Sequence, residues 1–485
     1  MINKTFTLLL VAACATVYSS CYRTRASKGG GQLKHTPSRT VDASAVAVPP
    51  GYKIEAVAQG LTFPSSMTFD DQGRMYVIET GYSYGEVWTE PKLLRMESNG
   101  SFTTLAKGGK NGPWTSIIYY EGFLYLSEGG QGEGGKIYKV TLEGQMTELA
   151  RDLPSIGDHH TNALVIKDNY IYFGQGTATN SGVVGEDNRD FGWLLRHNDF
   201  HDIPCKDITL AGRNYVSKNV LTPEDNDEIE TGAFVPFGTK TTPGQVIKGR
   251  VPCTGAVMRI PITGGTPEVM AWGLRNPYGL ALAPDGDIYI SENGYDDRGS
   301  RPVWGTGDVL YKLQPGTWYG FPDFSAGMAL SGTEEFKVPG KKEVQPVLKN
   351  YPNQPPKPAA IFGVHASANG MDFSINNNFG HVGEVFVAEF GDMAPKVGKV
   401  LAPVGFKVVR VDTKTGVIED FAVNKGKKNA PGTKLKNGGL ERPISVKFHP
   451  KDGSLYIVDF GVLTMSERGP MPQQKTGVIW KVSKS

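Results

Sequence analysis

The stretch NPYGLALAPDGDIYISENG, residues 276–294, decides the fold. A small-residue approach leads into an apolar run, a polar turn carrying Asp285 and Gly286 reverses the chain, and a second apolar-aromatic run ends on Asn-Gly. Two short strands around a turn whose glycine supplies positive φ make a β-hairpin. The unit recurs along the chain. FPSSMTFDDQGRMYVIETG starts at Phe63, PWTSIIYYEGFLYLSEGG at Pro113 and HTNALVIKDNYIYFGQG at His160. SANGMDFSINNNFGHVGEVFVAEFGD starts at Ser367 and RPISVKFHPKDGSLYIVDFG at Arg442. Each is followed by a third strand: KLLRM, KIYKV, AVMRI, DVLYK, KVVRV and VIWKV. Most of these alternate apolar with basic residues, as a strand half-covered by its neighbour should. FTTLA, MTELA, PEVMA and IEDFA read as fourth strands. Repeated four-stranded units of this kind are radial blades, so the sequence predicts an all-β, six-bladed β-propeller over residues 51–485. The last unit stops on its third strand, VIWKV, and YKIEAVA near Tyr52 is placed to supply the missing fourth, closing the ring and removing an exposed edge.

The spacing of the units exposes what has been added to them. They start at residues 63, 113 and 160, but the next begins only at 276. The excess, residues 177–254, is rich in Gly, Pro and Asp and contains Cys205 and Cys253. In an exported chain an isolated cysteine pair outside any CxxC or CxxCH reads as a disulfide rather than a metal site or haem attachment. A long loop stapled in this way is expected to be an ordered cap on one face. A second, Pro-rich enlargement, Trp318 to Val364, is expected to line the same face.

Composition narrows the function class. Of 485 residues 39% are hydrophobic, which is enough for a large core, and 61 Gly and 32 Pro suit many short strands joined by turns. The net charge of +2 gives no reason to expect nucleic acid or an anionic membrane surface as partner. At the N-terminus Lys4 precedes an apolar run from Thr5 to Val17, the length of a signal-peptide core and too short to span a bilayer. Cys14 in VAAC and Cys21 in YSSC each follow small residues, the pattern of a bacterial lipobox; Cys21 leaves the fuller apolar stretch before it, Cys14 has the better local consensus, and a plainly cleaved signal with an incidental cysteine is the third reading. Residues 1–21 are thus read as a lipoprotein-type signal peptide ending at a lipidated Cys21, and residues 22–50 as a flexible tether. That puts the propeller outside the cytoplasm, periplasmic or at the cell surface, held to a bacterial membrane by lipid.

Two stretches carry candidate chemistry. GDHHTNALVI brings Asp158, His159 and His160 into the third hairpin, and WGLRNPYGLALAPDGDIYISENGYDD puts Arg275 and Asn276 before the fourth and Asn293, Gly294 and Tyr295 after it. In a propeller these connections gather at one mouth of the central channel. Here the chain resembles the soluble pyrroloquinoline quinone (PQQ) dependent sugar dehydrogenases, which include glucose, aldose-sugar and sorbosone dehydrogenases. The resemblance runs from about Tyr52 to Val482; LRNPYGLALAPDGDIYISENG is its specific part, with DHHTNALVI, GFKVVRV and ERPISVKFHPKDGSLYIVD in support. It implies PQQ and Ca²⁺ as cofactors, a sugar-like small molecule as substrate and a separate electron acceptor. On this resemblance His159 is the base that takes a proton from the sugar C1 hydroxyl, for which an imidazole of ordinary pKa about 6.5 is suited. Arg275 stands beside the quinone carbonyl, Asn276 and Asn293 contact the cofactor, and the backbone carbonyls of Gly294 and Tyr295 hold Ca²⁺. Arg442 falls on an arginine that clamps the cofactor's carboxylates.

The sequence also departs from that pattern. Thr177 stands where the family has the aspartate that orients the base, with Asp158 the nearest carboxylate to replace it. Gly391 and Leu440 stand where a lysine and a second arginine are expected, with Lys396 and Lys399 near by, and Lys110 replaces a sugar-contacting glutamine of the glucose enzymes. His365 in GVHASANG is expected at the same mouth, among the cofactor contacts. His197 and His201 have the i, i+4 spacing of a metal pair on a helix, although no helical pattern flanks them, and the carboxylate-rich run 225–230 reads as a solvated turn. Two other functions remain open: a non-catalytic propeller binding glycans or a protein, and a metal-dependent lactonase or esterase. The second draws on Glu79, Glu128, Glu292 and Glu389, which recur at equivalent strand ends.

Overall fold

The computed structural model describes residues 39–83, 87–130, 132–190, 192–224, 226–393, 403–466 and 469–485. Six sheets make the six predicted blades. Blade 1 runs Pro64–Phe69, Met75–Glu79, Lys92–Met96 and Phe102–Lys107, and blade 2 Trp114–Tyr120, Phe123–Glu128, Gly135–Val140 and Met146–Leu153. Blade 3 is Thr161–Lys167, Tyr170–Gln175, Ala256–Pro261 and Glu268–Trp272, and blade 4 is Pro277–Leu282, Ile288–Glu292, Gly307–Lys312 and Ala360–Val364. Blade 5 comprises Ala368–Phe373, Val385–Glu389, Lys407–Val411 and Ile418–Asn424, and blade 6 Pro443–Phe448, Leu455–Asp459 and Gly477–Lys484. Tyr52–Leu61 pairs antiparallel with Gly477–Lys484, so the ring closes with one strand from near the start of the chain, as the sequence requires.

Each blade interface has its own apolar cluster, including the one across the closure, where Val458 and Ile479 of blade 6 meet Met67 and Val77 of blade 1. A blade is therefore covered on both faces. This is why second strands such as Met75–Glu79 and Leu455–Asp459 are buried at every position instead of alternating. The first strands crowd round the axis and carry small side chains there, among them Ser65, Ser116, Ala163, Gly370 and Ser445, around a channel of about 220 Å³.

Part of the stretch read as tether is built into the ring. Val46–Ala47 pairs with the outer strand of blade 5, and Asp42, whose carboxylate accepts from Ser44 N, caps the short turn before it. The expectations for the signal peptide, Cys14, Cys21, Lys396 and Lys399 lie outside the described residues. No helix among the described residues is long and apolar enough to cross a membrane.

The insertion leaves blade 3 between its second and third strands and is closed by the Cys205–Cys253 disulfide. It joins the second enlargement, which lies between the third and fourth strands of blade 4: Leu210 bridges to Leu348, and Ala211 N donates to the Val347 carbonyl at 2.8 Å. Cys205, Leu210, Phe234, Trp318, Phe321 and Leu348 share one apolar cluster beneath them. The helix of Trp193–Arg196 ends before His197, and His201 Nδ1 turns to the carbonyl of Asp199, so the two histidines do not form a helical metal pair. Glu228–Gly232 of the acidic run forms a hairpin with Asn214–Lys218.

Candidate active site

First strands begin, and second strands end, on the same rim of the ring. His159, Arg275, His365 and Arg442 each precede a first strand, so loops more than a hundred residues apart in sequence share that rim. His159 Nδ1 lies 3.0 Å from both the carbonyl and the Oγ1 of Thr177. A carbonyl can only accept, so Nδ1 carries the proton and Nε2 presents its lone pair. No hydrogen bond within the protein engages Nε2 among the described residues. Burial, then the guanidinium groups of Arg275 and Arg298, push the His159 pKa well below 6.5, against the weaker pull of Asp296. The imidazole is therefore neutral, in one tautomer, at ordinary pH.

Arg275 is 3% exposed, and four hydrogen bonds fix its guanidinium while leaving one Nη1–H without a protein acceptor among the described residues. It donates to the carbonyl and Oδ1 of Asn180 at 3.0 and 2.8 Å, to Asp296 Oδ2 at 2.9 Å and to the Asn293 carbonyl at 3.4 Å. Asp296 also meets Arg298 at 3.1 Å and His365 Nδ1 at 3.5 Å. Burial alone would raise its carboxyl, but Arg275, Arg298 and His365 hold it below the usual carboxylate range. Asp296 and Arg298 were not singled out in the sequence, although both lie within or next to NGYDD. The signal was the alternation of carboxylates with Arg298 directly after the fourth hairpin.

A chain of amides crosses three blades at the rim. Asn162 Nδ2 donates to Asn276 Oδ1 at 2.9 Å, Asn276 Nδ2 to Asn293 Oδ1 at 2.8 Å, and Asn293 Nδ2 to Asn369 Oδ1 at 3.4 Å. Asn162 and Asn369 each occupy the second position of a first strand, a repeat position that the sequence showed without giving it a role.

Several expectations change. Asp158 does not orient His159: its carboxylate accepts from Asn188 Nδ2 at 3.0 Å and pairs with Arg298 at 2.7 Å, drawn away by the guanidinium. Arg442, also 3% exposed, spends its guanidinium on the carbonyls of Phe390, Gly391, Asp392 and Leu463, with the rings of Phe390 and Phe406 each 5.0 Å away. Three of the strand-end carboxylates are taken up by donors at or just ahead of the first strand of their blade, whereas Glu292 keeps one buried oxygen without a hydrogen-bond partner among the described residues. Glu79 accepts from Thr62 N at 2.6 Å, Glu128 from Asn111 and Trp114, and Asp459 from the backbone of Glu441 and Arg442. Among the described residues no group of three or more His, Cys, Asp or Glu is arranged to hold a metal.

A cofactor of the kind implied has two ends, and the site treats them differently. At a quinone end, the free Nε2 of His159, Arg275 and the amides of Asn276 and Asn293 fit. For Ca²⁺, Gly294 and Tyr295 offer adjacent backbone carbonyls, that of Tyr295 accepting from the Thr306 hydroxyl at 3.3 Å. Residue 294 must be glycine, since a Cβ there would come within 2.5 Å of Thr306 Oγ1. At a carboxylate end the cations are fewer. Gly391 has φ +92°, and a Cβ would lie 2.6 Å from the Phe406 ring, so no lysine fits there; Leu440 is fully buried.

Residues 248–380 match the family described as Glucose / Sorbosone dehydrogenase. This segment carries that family's pattern. It holds Arg275, Asn276, Asn293 to Tyr295, Asp296, Arg298 and His365, while His159, Thr177 and Arg442 lie outside it. No curated protein matches the chain in sequence. The soluble aldose sugar dehydrogenase of Escherichia coli in its apo-form is similar over 90% of this chain and all of its own, with a TM-score of 0.53 and 15% identity. The holo PQQ domain of a pyranose dehydrogenase from Coprinopsis cinerea gives 0.53 and 15% over 90% of this chain and 97% of its own. A calcium structure of a Trichoderma reesei enzyme of carbohydrate-active family AA12 gives 0.53 and 16% over 93% and 100%. At these identities the likeness is one of fold.

Proposed function

We propose that this protein is a PQQ- and Ca²⁺-dependent dehydrogenase that oxidises a sugar, or a related polyol or aldehyde, outside the cytoplasm, tied to a membrane by lipid on Cys21. The observation that carries the reading is the neutral His159, its Nδ1–H engaged behind it and its Nε2 without a protein partner, on one rim with Arg275 and the amide chain. The solved structures of like fold include an aldose sugar dehydrogenase and a holo PQQ domain, which supports this chemistry.

When bound, such a quinone with its cation would supply the two-electron acceptor, and a separate acceptor would be needed to reoxidise it. The chain's own residues do the rest. His159 Nε2 takes the proton of the substrate hydroxyl. Arg275, fixed by Asn180 and Asp296, keeps a positive charge in place without reorganising. Asn276 and Asn293 orient the ligand, and the carbonyls of Gly294 and Tyr295 are the hard oxygen donors that Ca²⁺ prefers.

A second reading is favoured by one observation: Arg442 is already saturated, and residues 391 and 440 carry no cation. A non-catalytic propeller binding a glycan or a protein at this rim would need no tricarboxylate clamp. Assays of the protein with PQQ, Ca²⁺ and an artificial dye against a panel of aldoses, polyols and aldehydes separate the two. The dehydrogenase reduces dye with at least one of them; no reduction at saturating PQQ with any of them leaves the binding module.

A further inference from the structure

From the base, a set of hydrogen bonds leads into the insertion. The Thr177 hydroxyl donates to the Thr179 carbonyl at 2.8 Å, so toward the imidazole Thr177 Oγ1 acts as acceptor. The Thr179 hydroxyl donates to Asp202 Oδ2. Ala178 N donates to Asp202 Oδ1 at 2.7 Å, and the Thr254 hydroxyl reaches the same oxygen at 3.1 Å. Asp202 is fully buried, and its carboxylate has a donor on each oxygen. It therefore grips the two residues that follow Thr177 together with Thr254, the neighbour of the disulfide-bonded Cys253.

We propose that Asp202 is the positioning carboxylate of His159, moved out of contact with the imidazole and into the insertion, where it acts through Ala178, Thr179 and Thr177. The proposal rests on His159 being the base of the function given above. The arrangement gives the ring the orientation that a carboxylate partner would give, without placing a negative charge against Nδ1. The charged groups that do face the ring are Arg275, Arg298 and Asp296, and Asp158 is committed to Arg298. The base is thereby held neutral, and the disulfide-closed insertion becomes part of what aligns it instead of a mere cover.

The test reads the His159 ring by ¹⁵N-edited NMR in the protein without cofactor, across pH, so a failure to oxidise any sugar would sink the functional proposal without touching this one. In the parent protein His159 should show the single Nδ1–H tautomer and no titration near 6.5. Asp202→Asn and Thr179→Val should lose the single tautomer while keeping the parent circular dichroism, and in the loaded enzyme should lower kcat about tenfold with KM little changed. Thr177→Asp, which puts a carboxylate beside Nδ1, should raise the ring's titration midpoint by at least one pH unit. If Asp202→Asn does not fold, Thr179→Val decides alone, because it leaves the Ala178 and Thr254 bonds to Asp202 and removes only the Thr179 hydroxyl's bond to Asp202 and the one it accepts from Gly182 N. A ring with unchanged tautomer and titration in folded Thr179→Val, or an unmoved midpoint in Thr177→Asp, would overturn the proposal.

Discussion

Blades 4 and 6 open with the same device. In each an arginine, 3% exposed, stands just ahead of the proline that starts the first strand: Arg275 before Asn276-Pro277, and Arg442 before Pro443. Their partners differ. Arg442 meets backbone carbonyls and two aromatic rings, which satisfy its donors with dipoles and hold the connections of blades 5 and 6 together. Arg275 meets the carboxylate of Asp296, an asparagine and the neighbourhood of a neutral histidine. The strand-end carboxylates repeat the contrast. Asp459 of blade 6 has Glu441 N, Arg442 N and Trp480 Nε1 as donors, whereas among the described residues Glu292 of blade 4 has Arg275 N alone, with Oε2 buried and without a hydrogen-bond partner. The same position in the repeat thus closes a blade on one side of the ring. On the other it is left electrostatically costly, with a buried carboxylate oxygen that no donor offsets among the described residues.

The contrast can be broken by substitution. His159→Ala should lower kcat by about 10²- to 10⁴-fold, the range of a lost general base; retained turnover in a dye-coupled assay would mean that the proton goes elsewhere. Arg442→Ala should act on stability, costing roughly 3 kcal/mol in urea denaturation by leaving several carbonyls unsatisfied and a cavity between two rings. If Arg442→Ala instead folds normally and loses only cofactor affinity, the division between the two arginines fails.

Two pH experiments sharpen the same comparison. Because burial, Arg275 and Arg298 depress the His159 pKa, the ring is deprotonated and competent above a midpoint lying below 6.5, so kcat/KM should stay level from pH 8 to 6.5 before it falls. An acid limb centred at 6.5 or higher contradicts this. Burial pushes Glu292 up to about 8, against the pull of Arg275. A group whose folded pKa is raised contributes stability that is present at low pH and lost as pH rises through the folded value, here between about 4.5 and about 8. Glu292→Gln should therefore lie close to the parent at pH 5 and exceed its stability at pH 9, by on the order of 5 kcal/mol for a shift from 4.5 to about 8. Equal stability at both pH values would show Glu292 to be ionised without cost.

Much of the ring was legible because blades repeat. The hairpin and third strand of every blade, the closure by Tyr52–Leu61 and the cysteine pair follow from self-similarity and from residues with strong local preferences, such as the turn at Asp168 and Asn169, both at positive φ. The candidate site was legible only where a motif carried it, at His159, Arg275, Asn276 and Asn293. Thr177 was read as the loss of an aspartate, and Asp158 as its replacement, since sequence adjacency says nothing of side-chain direction; the structure turns Asp158 to Arg298 and gives Thr177 to the imidazole. Asp202 could not have been found, because its partners Ala178, Thr179 and Thr254 meet it only when the insertion folds back on blade 3.

The most direct test is an equilibrium titration of the protein with PQQ, followed by quinone absorbance, with and without Ca²⁺, in the parent, Arg275→Ala and His159→Ala. The account predicts saturable binding that requires Ca²⁺, weakens at least tenfold in Arg275→Ala and is kept in His159→Ala. Absence of saturable binding by the parent at micromolar PQQ, or binding indifferent to both Ca²⁺ and Arg275, would contradict it.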